Sequence, residues 1–369
     1  MDLSQDEAFA RIRLLRSPNV GPITYRQLLR RYGDANRALA ALPDLAARGG
    51  KPYRPVAEDR VAAEAARLKR AGGRYLFHDS PDYPAMLAMT ESAPPILTVR
   101  GDTALFASPA VALVGARNAS AAAVKLARDF GRALAEAGFA VVSGLARGID
   151  GAVHQGALAG GGKGGGTIGV IASGIDIAYP PEHAGLQEQV AVEGLLVAEQ
   201  PPGTEPLARH FPSRNRIIAG LAAGTVVVEA APKSGSLITA RLAGEYGREV
   251  MAIPGSPLDA RSHGCNQLIR EGAVLVQGPE DVIELLSGFD GAPRSGLRET
   301  APVSFAFDEP AETDPADISA LLTAAPVAVD ELIRQSGESP AAVQFALLEL
   351  EIAGALVRHA GNRVSRGAS

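Results

Sequence analysis

The sequence predicts an α/β protein built on a doubly wound, mostly parallel sheet, with a small helical domain before it and a winged-helix domain after it. Between residues 76 and 287, short and almost wholly apolar segments alternate with Ala-rich helical patterns. Such strands are typical of parallel sheets covered by helices on both faces. The chain on either side follows helical periodicity instead. We expect a helical domain at 1–75, the core at 76–287, a linker at 288–316 and the winged helix at 317–369.

The composition agrees with this architecture and excludes several classes of protein. The 369 residues are 46% hydrophobic and 21% charged, which suffices for a buried core. A single cysteine, Cys265, excludes an intramolecular disulfide. No apolar stretch has the length of a membrane span, and the opening MDLSQDEAFARIRLL lacks the basic flank of a signal peptide. We therefore expect a cytoplasmic protein without membrane contact.

The net charge of −5 does not decide whether the partner is a polyanion. Residues 1–75 carry 15 Lys and Arg against 8 Asp and Glu, so the rest of the chain is acidic. Phosphate attraction reaches only about 8–10 Å at physiological salt. Local clusters of charge therefore matter more than the total.

The core strands are predicted from their apolar runs. They are VALVG (111–115), FAVVSG (139–144), TIGVIASG (167–174), LLVAEQ (195–200), TVVVEA (225–230), REVMAI (248–253) and VLV (274–276). Helices are predicted at about 120–137 and from Ile149 onward. Because ligands of open α/β sheets bind at the carboxyl ends of the strands, the site is expected at that edge.

Small residues and arginines collect at the same edge. GARNAS (115–120) follows a strand and opens a helix, but Arg117 stands where the second glycine of a dinucleotide fingerprint belongs. This disfavours a dinucleotide, and we predict no cofactor. SGLARGID (143–150) repeats the pattern after the next strand. Guanidinium groups and bare N–H groups at helix starts suit phosphate oxygens, although each motif alone equally fits a turn with a solvent-facing arginine.

The segment FPSRNRIIAGLA (211–222) is more specific. We predict Ser213 as the N-cap, which places Arg-Asn-Arg, 214–216, in the first helical turn. Positive charge there opposes the helix dipole, and an anionic ligand would offset the cost. The alternative is an ion pair with Glu199 or Glu205.

A further helix start, in APKSGSLITARLAGEYG (231–247), offers Lys233 followed by Ser-Gly-Ser. This resembles a phosphate nest and equally fits a capped helix. The six histidines show no HxxxH or HExxH spacing, so no metal site is predicted. No strand-end acids are spaced as an obvious acid/base pair.

The terminal segments have recognisable layouts. SPNVGPITYRQLLRRYG (17–33) is arranged as a helix-hairpin-helix, whose turn can hold a phosphate, although a protein-interaction bundle is equally compatible. The third helix of the winged-helix segment, about 339–353, carries two glutamates and no Lys or Arg. A helix in a phosphate-lined groove should be basic. We therefore favour a structural or protein-contacting role and leave DNA contact open for Arg358, Arg363 and Arg366.

Six motifs in one order resemble the DprA/Smf family (DNA processing protein A). They are VGARNAS, SGLARGIDGAVHQGAL, GVIASGIDIAYPPEH, FPSRNRIIAGL, VVVEAAPKSGSLITARLAGEYGREVMAIPG and GCNQLIREGA, within about 80–287. The resemblance implies an extended Rossmann-like domain that binds single-stranded DNA and catalyses nothing. It implies protection of incoming strands during natural transformation (competence), loading of the RecA recombinase, and a homodimer.

The resemblance also implies site residues. For DNA binding they are Gly115, Arg117, Ser143, Gly144, Arg147, Ser173, Gly174, Arg214, Asn215, Arg216, Lys233, Gly235 and Ser236. For the dimer surface they are Cys265, Asn266, Leu268 and Ile269. Some family members carry a basic residue in the segment matching 175–183, where this chain has only His183.

Two other functions remain open. The first is a nucleotide-processing enzyme like the LOG-type phosphoribohydrolases, whose motif is PGGxGTxxE. The corresponding PKSGSLITA lacks both the Gly-Thr and the downstream Glu. The second is a DNA-binding regulator that acts through the winged helix. The acidic third helix disfavours this function.

Overall fold

The computed structural model describes residues 3–48, 52–161, 165–287, 315–359 and 361–367. The chain divides into two compact units. One is Glu64–Leu297, and the other combines Met1–Ala63 with Arg298–Ser369. The expected linker, 288–316, lies outside the described residues except for its last two positions. Its boundaries therefore stay a prediction.

The N-terminal segment is helical, as the periodicity predicts. Its helices are α1 (Gln5–Arg16), α2 (Pro22–Tyr32), α3 (Ala35–Arg48) and α4 (Glu58–Arg70). Helix α4 lies in the segment before the core whose periodicity is helical. Helix α3 was not predicted, because Pro43 lies inside it and an interior proline usually ends a helix.

The larger unit is built on a nine-stranded sheet in the order β1-β2-β6-β5-β4-β3-β7-β8-β9. The strands are β1 (Arg74–Phe77), β2 (Ile96–Gly101), β3 (Ala110–Val114), β4 (Ala140–Ser143), β5 (Gly166–Ile171), β6 (Leu195–Ala198), β7 (Gly224–Val227), β8 (Glu249–Ala252) and β9 (Val274–Leu275). Strands β3 to β9 pair in parallel, whereas β1 with β2 and β2 with β6 pair antiparallel. The strand order reverses at β3, which confirms the doubly wound, mostly parallel sheet.

All seven predicted strands are present, and the two additional ones form an antiparallel edge. Only a four-residue helix, Ala85–Ala88, lies between β1 and β2, and only a short 3₁₀ helix separates β2 from β3. The alternation of strand and helix that reveals a parallel sheet therefore does not extend to them.

Helices cover both faces of the sheet. They are α5 (Ala85–Ala88), α6 (Ala121–Glu136), α7 (Ile149–Gly160), α8 (Ala184–Glu193), α9 (His210–Leu221), α10 (Gly235–Glu245), α11 (His263–Arg270) and α12 (Pro279–Ser287). Strand side chains alternate between the two faces. Val111 and Leu113 pack in one apolar layer with Phe130 of α6, and Val114 packs in the opposite layer with Ile217 of α9.

The C-terminal segment has the predicted winged-helix fold. Its elements are α13 (Pro315–Leu321), β10 (Val327–Ala328), α14 (Val329–Ser336), α15 (Pro340–Ile352), β11 (Leu356–His359) and β12 (Arg363–Arg366). The strands form an antiparallel sheet in the order β10-β12-β11. Helix α15 matches the expected third helix. Among all the helices in the described ranges, none combines the length and apolarity that crossing a membrane requires.

Helices α6 and α7 approach closely because glycines stand where their backbones meet. A Cβ on Gly156 would lie 2.0 Å from the carbonyl oxygen of Arg128, and one on Gly131 would lie 2.4 Å from that of Val153. Since both obstacles are backbone atoms, they move only if the helices separate. The rigid placement of the loops before α6 and α7 depends on this contact.

We predict that Gly156→Ala lowers the free energy of unfolding by about 1–3 kcal/mol or more, because the added methyl group forces α6 and α7 apart. Gly185→Ala is the matched control. Gly185 is exposed in α8 with nothing within 4 Å of its added Cβ. Alanine should stabilise that helix by about 0.5–1 kcal/mol. Urea unfolding checks both variants, and equal midpoints would contradict the packing argument.

Candidate nucleic-acid interface

One pocket of the larger unit opens at the carboxyl ends of β3, β4 and β5, at the edge where the sequence places the site. Its volume is about 340 Å³. Three of the expected cations line it, together with a pair of aromatic rings. The lining residues are Arg117, Asn118, Gly144, Ala146, Arg147, Ile171, Ala172, Tyr179, Pro180, Pro206, Phe211 and Arg214.

Arg214 is a buried cation at this pocket. It extends from α9 with only 6% of its surface exposed, and its Nη1 donates to the carbonyl oxygen of Val170 at 2.7 Å. A Cβ on Gly144 would lie 1.7 Å from that Nη1, so only glycine leaves room for the guanidinium. The Nε has no hydrogen-bond partner among the described residues. Burial lowers the pKa of Arg214 to about 10, which still leaves it charged at neutral pH.

Two buried groups on α7, Asp150 and His154, interact with this cation. Burial raises the pKa of Asp150, while the charge of Arg214 and backbone hydrogen bonds from Ala146 and Gly144 oppose the shift. Burial, and then Arg214, lower the pKa of His154 to about 3. Its Nδ1 lies 2.7 Å from the hydroxyl oxygen of Thr167. That hydroxyl itself donates to a backbone carbonyl, so Nδ1 carries the proton and the neutral ring leaves Nε2 bare.

Arg117 is the exposed cation of the pocket. It lies in the loop between β3 and α6, and its Cζ is 4.8 Å from the ring centroid of Phe211. The ring of Phe211 is in turn 5.5 Å from that of Tyr179, at 58° between planes. The Arg117 guanidinium makes no hydrogen bond or ion pair with another described residue. It therefore remains available for an anion.

The loops after β3 and β4 are locked together at Gly148. This residue has a φ of +73°, and a Cβ on it would lie 2.3 Å from the carbonyl oxygen of Ala116. The next amide, of Ile149, donates to the same oxygen at 3.2 Å. A Cβ on Gly115 would collide with Ile149 as well. These glycines fix the relative positions of Arg117 and Arg147.

The remaining predicted cations are held in different ways. Arg147 forms an ion pair with Glu182, but both side chains are largely exposed, so water screens the pair and a phosphate can replace it. Arg216 is mostly buried and donates to Glu199 and to the carbonyl oxygen of Ser92. Arg216 therefore forms the ion pair with Glu199 that the sequence left open as the alternative to ligand binding. It does not line the pocket.

The predicted N-cap, Ser213, is wrong. Helix α9 begins at His210, so Ser213 lies inside it and Arg214 belongs to the second turn. The reason is that Pro212 falls in the first turn, where a missing N–H costs no hydrogen bond. The dipole argument therefore does not apply to Arg214. Its burial is the stronger reason for assigning it to the site.

Several predicted residues shape the loops without facing the pocket. The buried hydroxyls of Ser143 and Ser173 donate to the carbonyl oxygens of Leu113 and Ile177. A Cβ on Gly174 would lie 2.5 Å from the carbonyl oxygen of Pro201. Their assignment to DNA binding stays a prediction, in which they act by fixing the shape of the loops.

The predicted nest lies at the start of α10, outside the pocket. Lys233 is exposed with a φ of +67°, and the hydroxyls of Ser234 and Ser236 are 2.8 Å apart. The amide of Asn215 donates to the carbonyl oxygen of Gly235 at 3.2 Å, which links the nest to α9. The role of these residues in DNA binding stays a prediction.

The residues expected at a dimer surface mostly have partners within their own chain. Cys265 is buried, and burial raises the pKa of its thiol to about 11. Asn266 exchanges two hydrogen bonds with the backbone of Gly255. Leu268 and Ile269 are partly buried against the core. The homodimer stays a prediction.

The sequence motifs did not place Asn118, Pro180 or Pro206 at the site. Asn118 follows Arg117 directly, and this adjacency was the available signal. The two prolines belong to loops that only the fold brings to the pocket.

We predict that His154→Gln flattens the acid side of the stability profile. Folding depresses the pKa of His154 from about 6.5 to about 3, so the wild-type protein loses stability as pH falls through this window. The glutamine variant should lack a slope of about 1.4 kcal/mol per pH unit there. Thermal unfolding from pH 7 to pH 3.5 checks this. Parallel profiles for the two proteins would show that His154 is not buried as a neutral ring.

Comparisons with known proteins agree with this geometry. Three family models match the chain. They are DNA recombination-mediator protein A over residues 74–287, the DprA-like N-terminal HHH domain over 5–66 and the DprA winged helix domain over 306–362.

Individual relatives lead to the same family. Protein Smf of Synechocystis is 34% identical over 324 residues, which are 79% of this chain and 80% of that protein. The X-ray structure of DNA processing protein A from Streptococcus pneumoniae is 36% identical with a TM-score of 0.63, and it covers 77% of this chain and 98% of that one. A structure of the Helicobacter pylori protein, described for its single-stranded DNA binding mode, is 28% identical with a TM-score of 0.52, covering 59% and 97%. Because one family model spans more than half of the residues and the sequence motifs fall within it, the chain belongs to the DprA/Smf family of DNA processing proteins.

Proposed function

We propose that the pocket at the carboxyl edge of the sheet binds single-stranded DNA and holds it without chemical change. The observation that carries this proposal is the stack of Arg117, Phe211 and Tyr179 beside the buried charge of Arg214. Cations grip the sugar–phosphate chain, and aromatic faces accept unpaired bases with little sequence preference. The ligand named for the Helicobacter pylori relative supports the same interpretation.

The composition of the pocket favours binding over catalysis. Its twelve lining residues, all within the described part of the chain, include no Asp, Glu or His. Asp150 and His154 are buried on α7 and are not among the lining residues. A hydrolase of the phosphoribohydrolase type needs an accessible acid or base at the scissile bond. Release of free base from nucleoside monophosphates would overturn the binding-only proposal.

Family membership supports the finer parts of the proposal. They are protection of incoming strands during transformation, loading of RecA onto the bound strand, a homodimer and a cytoplasmic location. Sedimentation of the protein with and without an oligonucleotide tests the dimer. RecA filament assembly on strands coated by a single-strand-binding protein tests the loading, and assembly that this protein does not accelerate would refute it.

We predict that Arg117→Ala weakens binding of a single-stranded oligonucleotide. The salt slope of log K should also become shallower by about 0.7 for each phosphate that the variant no longer neutralises. Arg74→Ala is the matched control, because Arg74 is an exposed arginine at the start of β1 with partners in Asp82 and Thr103. Its affinity should remain that of the wild type. Salt-titrated fluorescence anisotropy measures both, and equal slopes in all three proteins would refute the assignment of Arg117.

We predict that Phe211→Leu lowers the affinity by about 1–3 kcal/mol at every salt concentration, because the leucine side chain keeps the bulk but has no π face for a base. The salt slope should stay unchanged, since every phosphate keeps its cation. The same titration separates this effect from that of Arg117→Ala. Wild-type affinity for Phe211→Leu would mean that bases do not stack at this ring.

A further inference from the structure

Helix α15 of the winged-helix domain is apolar on two opposite faces. Val343, Leu347 and Leu350 pack in the core of the domain itself, with α13 and α14. Leu348 and Ile352, on the other face, are 3% and 0% exposed. They belong to a different core, built by the N-terminal helices α1 to α3. A helix that presented one face to solvent or DNA would be amphipathic. The two apolar faces of α15 therefore indicate that protein packs against both of them.

Specific polar contacts accompany this apolar packing. The guanidinium carbon of Arg31, on α2, lies 3.9 Å from the ring centroid of Phe345. The side-chain amide of Asn19 donates to the carbonyl oxygen of Ile352, at the end of α15, at 2.9 Å. Asn19 belongs to the turn between α1 and α2, for which the sequence left a phosphate-binding hairpin and a protein-interaction bundle equally open. The contact between this turn and the end of α15 favours the second alternative.

The arginines left open as DNA contacts are engaged within the winged-helix domain. Arg358 pairs with Glu351 of α15 at 2.7 Å, and both side chains are nearly buried. Arg363 donates to the carbonyl oxygen of Pro326 at 2.7 Å, and Arg366 to that of Ser319 at 3.2 Å. A DNA-reading helix needs cations directed at phosphates, and α15 itself carries none.

We propose that α15 is a docking helix whose partner is the chain's own N-terminal helical domain, and that it does not enter a DNA groove. The winged-helix domain then serves to complete the core of the N-terminal helices and to cover their hairpin turn. The third helix of a DNA-binding winged helix lies in the major groove. In this chain the corresponding helix is α15, and the face that would have to enter the groove packs against the N-terminal helices.

Thiol labelling of the full chain tests the docking in solution. Cys265 is buried and gives an unreactive background. Three single variants are compared with Ellman's reagent, namely Leu347→Cys in the domain's own core, Leu348→Cys on the docking face and Val357→Cys, which is 46% exposed in the wild type. Docking predicts that the first two react on the order of 100-fold more slowly than the third, since labelling requires local opening.

The informative comparison is between the two neighbouring positions. If the modules were separate, Leu347→Cys would remain protected while Leu348→Cys reacted as fast as Val357→Cys, and that result would overturn the proposal. Should Leu348→Cys fail to fold, Ile352→Cys occupies the same face and answers the same question.

Phe345→Glu separates docking from DNA reading. Docking predicts that this variant speeds labelling at position 348 and leaves the affinity for a duplex oligonucleotide unchanged. A helix lying in a groove predicts a different result, because an added negative charge would weaken duplex binding, while labelling at position 348 would already be fast and would not change. The second outcome would refute the proposal.

Discussion

The candidate site depends on one constraint, the burial of a guanidinium at the carboxyl edge of the sheet. A buried charge is costly unless its surroundings compensate it. Arg214 donates to the carbonyl oxygen of Val170 and interacts with the buried carboxyl group of Asp150 beside a neutral His154. Gly144 supplies the space, because any side chain there would collide with the guanidinium. The charge is thus fixed in place by the fold before any ligand arrives.

The other cations of the edge differ in how firmly they are held, and the proposed ligand-binding roles follow this difference. Arg216 is enclosed by Glu199 and the backbone of Ser92. Arg147 has a solvent-screened partner, and Arg117 contacts the aromatic ring of Phe211. A phosphate competes easily with the weak contacts and poorly with the enclosed one. An acidic protein can therefore present a locally cationic surface without a cationic composition.

The winged-helix domain shows that a fold common in DNA-binding proteins need not place its third helix in DNA. The winged helix has the expected topology, yet its third helix contributes to two hydrophobic cores. Burial on both sides explains a feature that is odd for a DNA reader, namely a helix without Lys or Arg. The N-terminal helices and the winged helix together form one compact unit, which gives each small module more buried apolar surface than it has alone.

The sequence by itself determined the sheet and its ligand-binding edge, because apolar strands that alternate with helices indicate a parallel sheet, and such sheets bind ligands at the carboxyl ends of their strands. It also identified the arginines that gather there. Only the tertiary structure decided which of them are available. Arg214 and Arg216 are two positions apart on α9, hence about 200° apart around the helix, and they meet different neighbours. Likewise the two faces of α15 look alike in sequence, since hydrophobicity shows that a residue is buried but not which partner covers it.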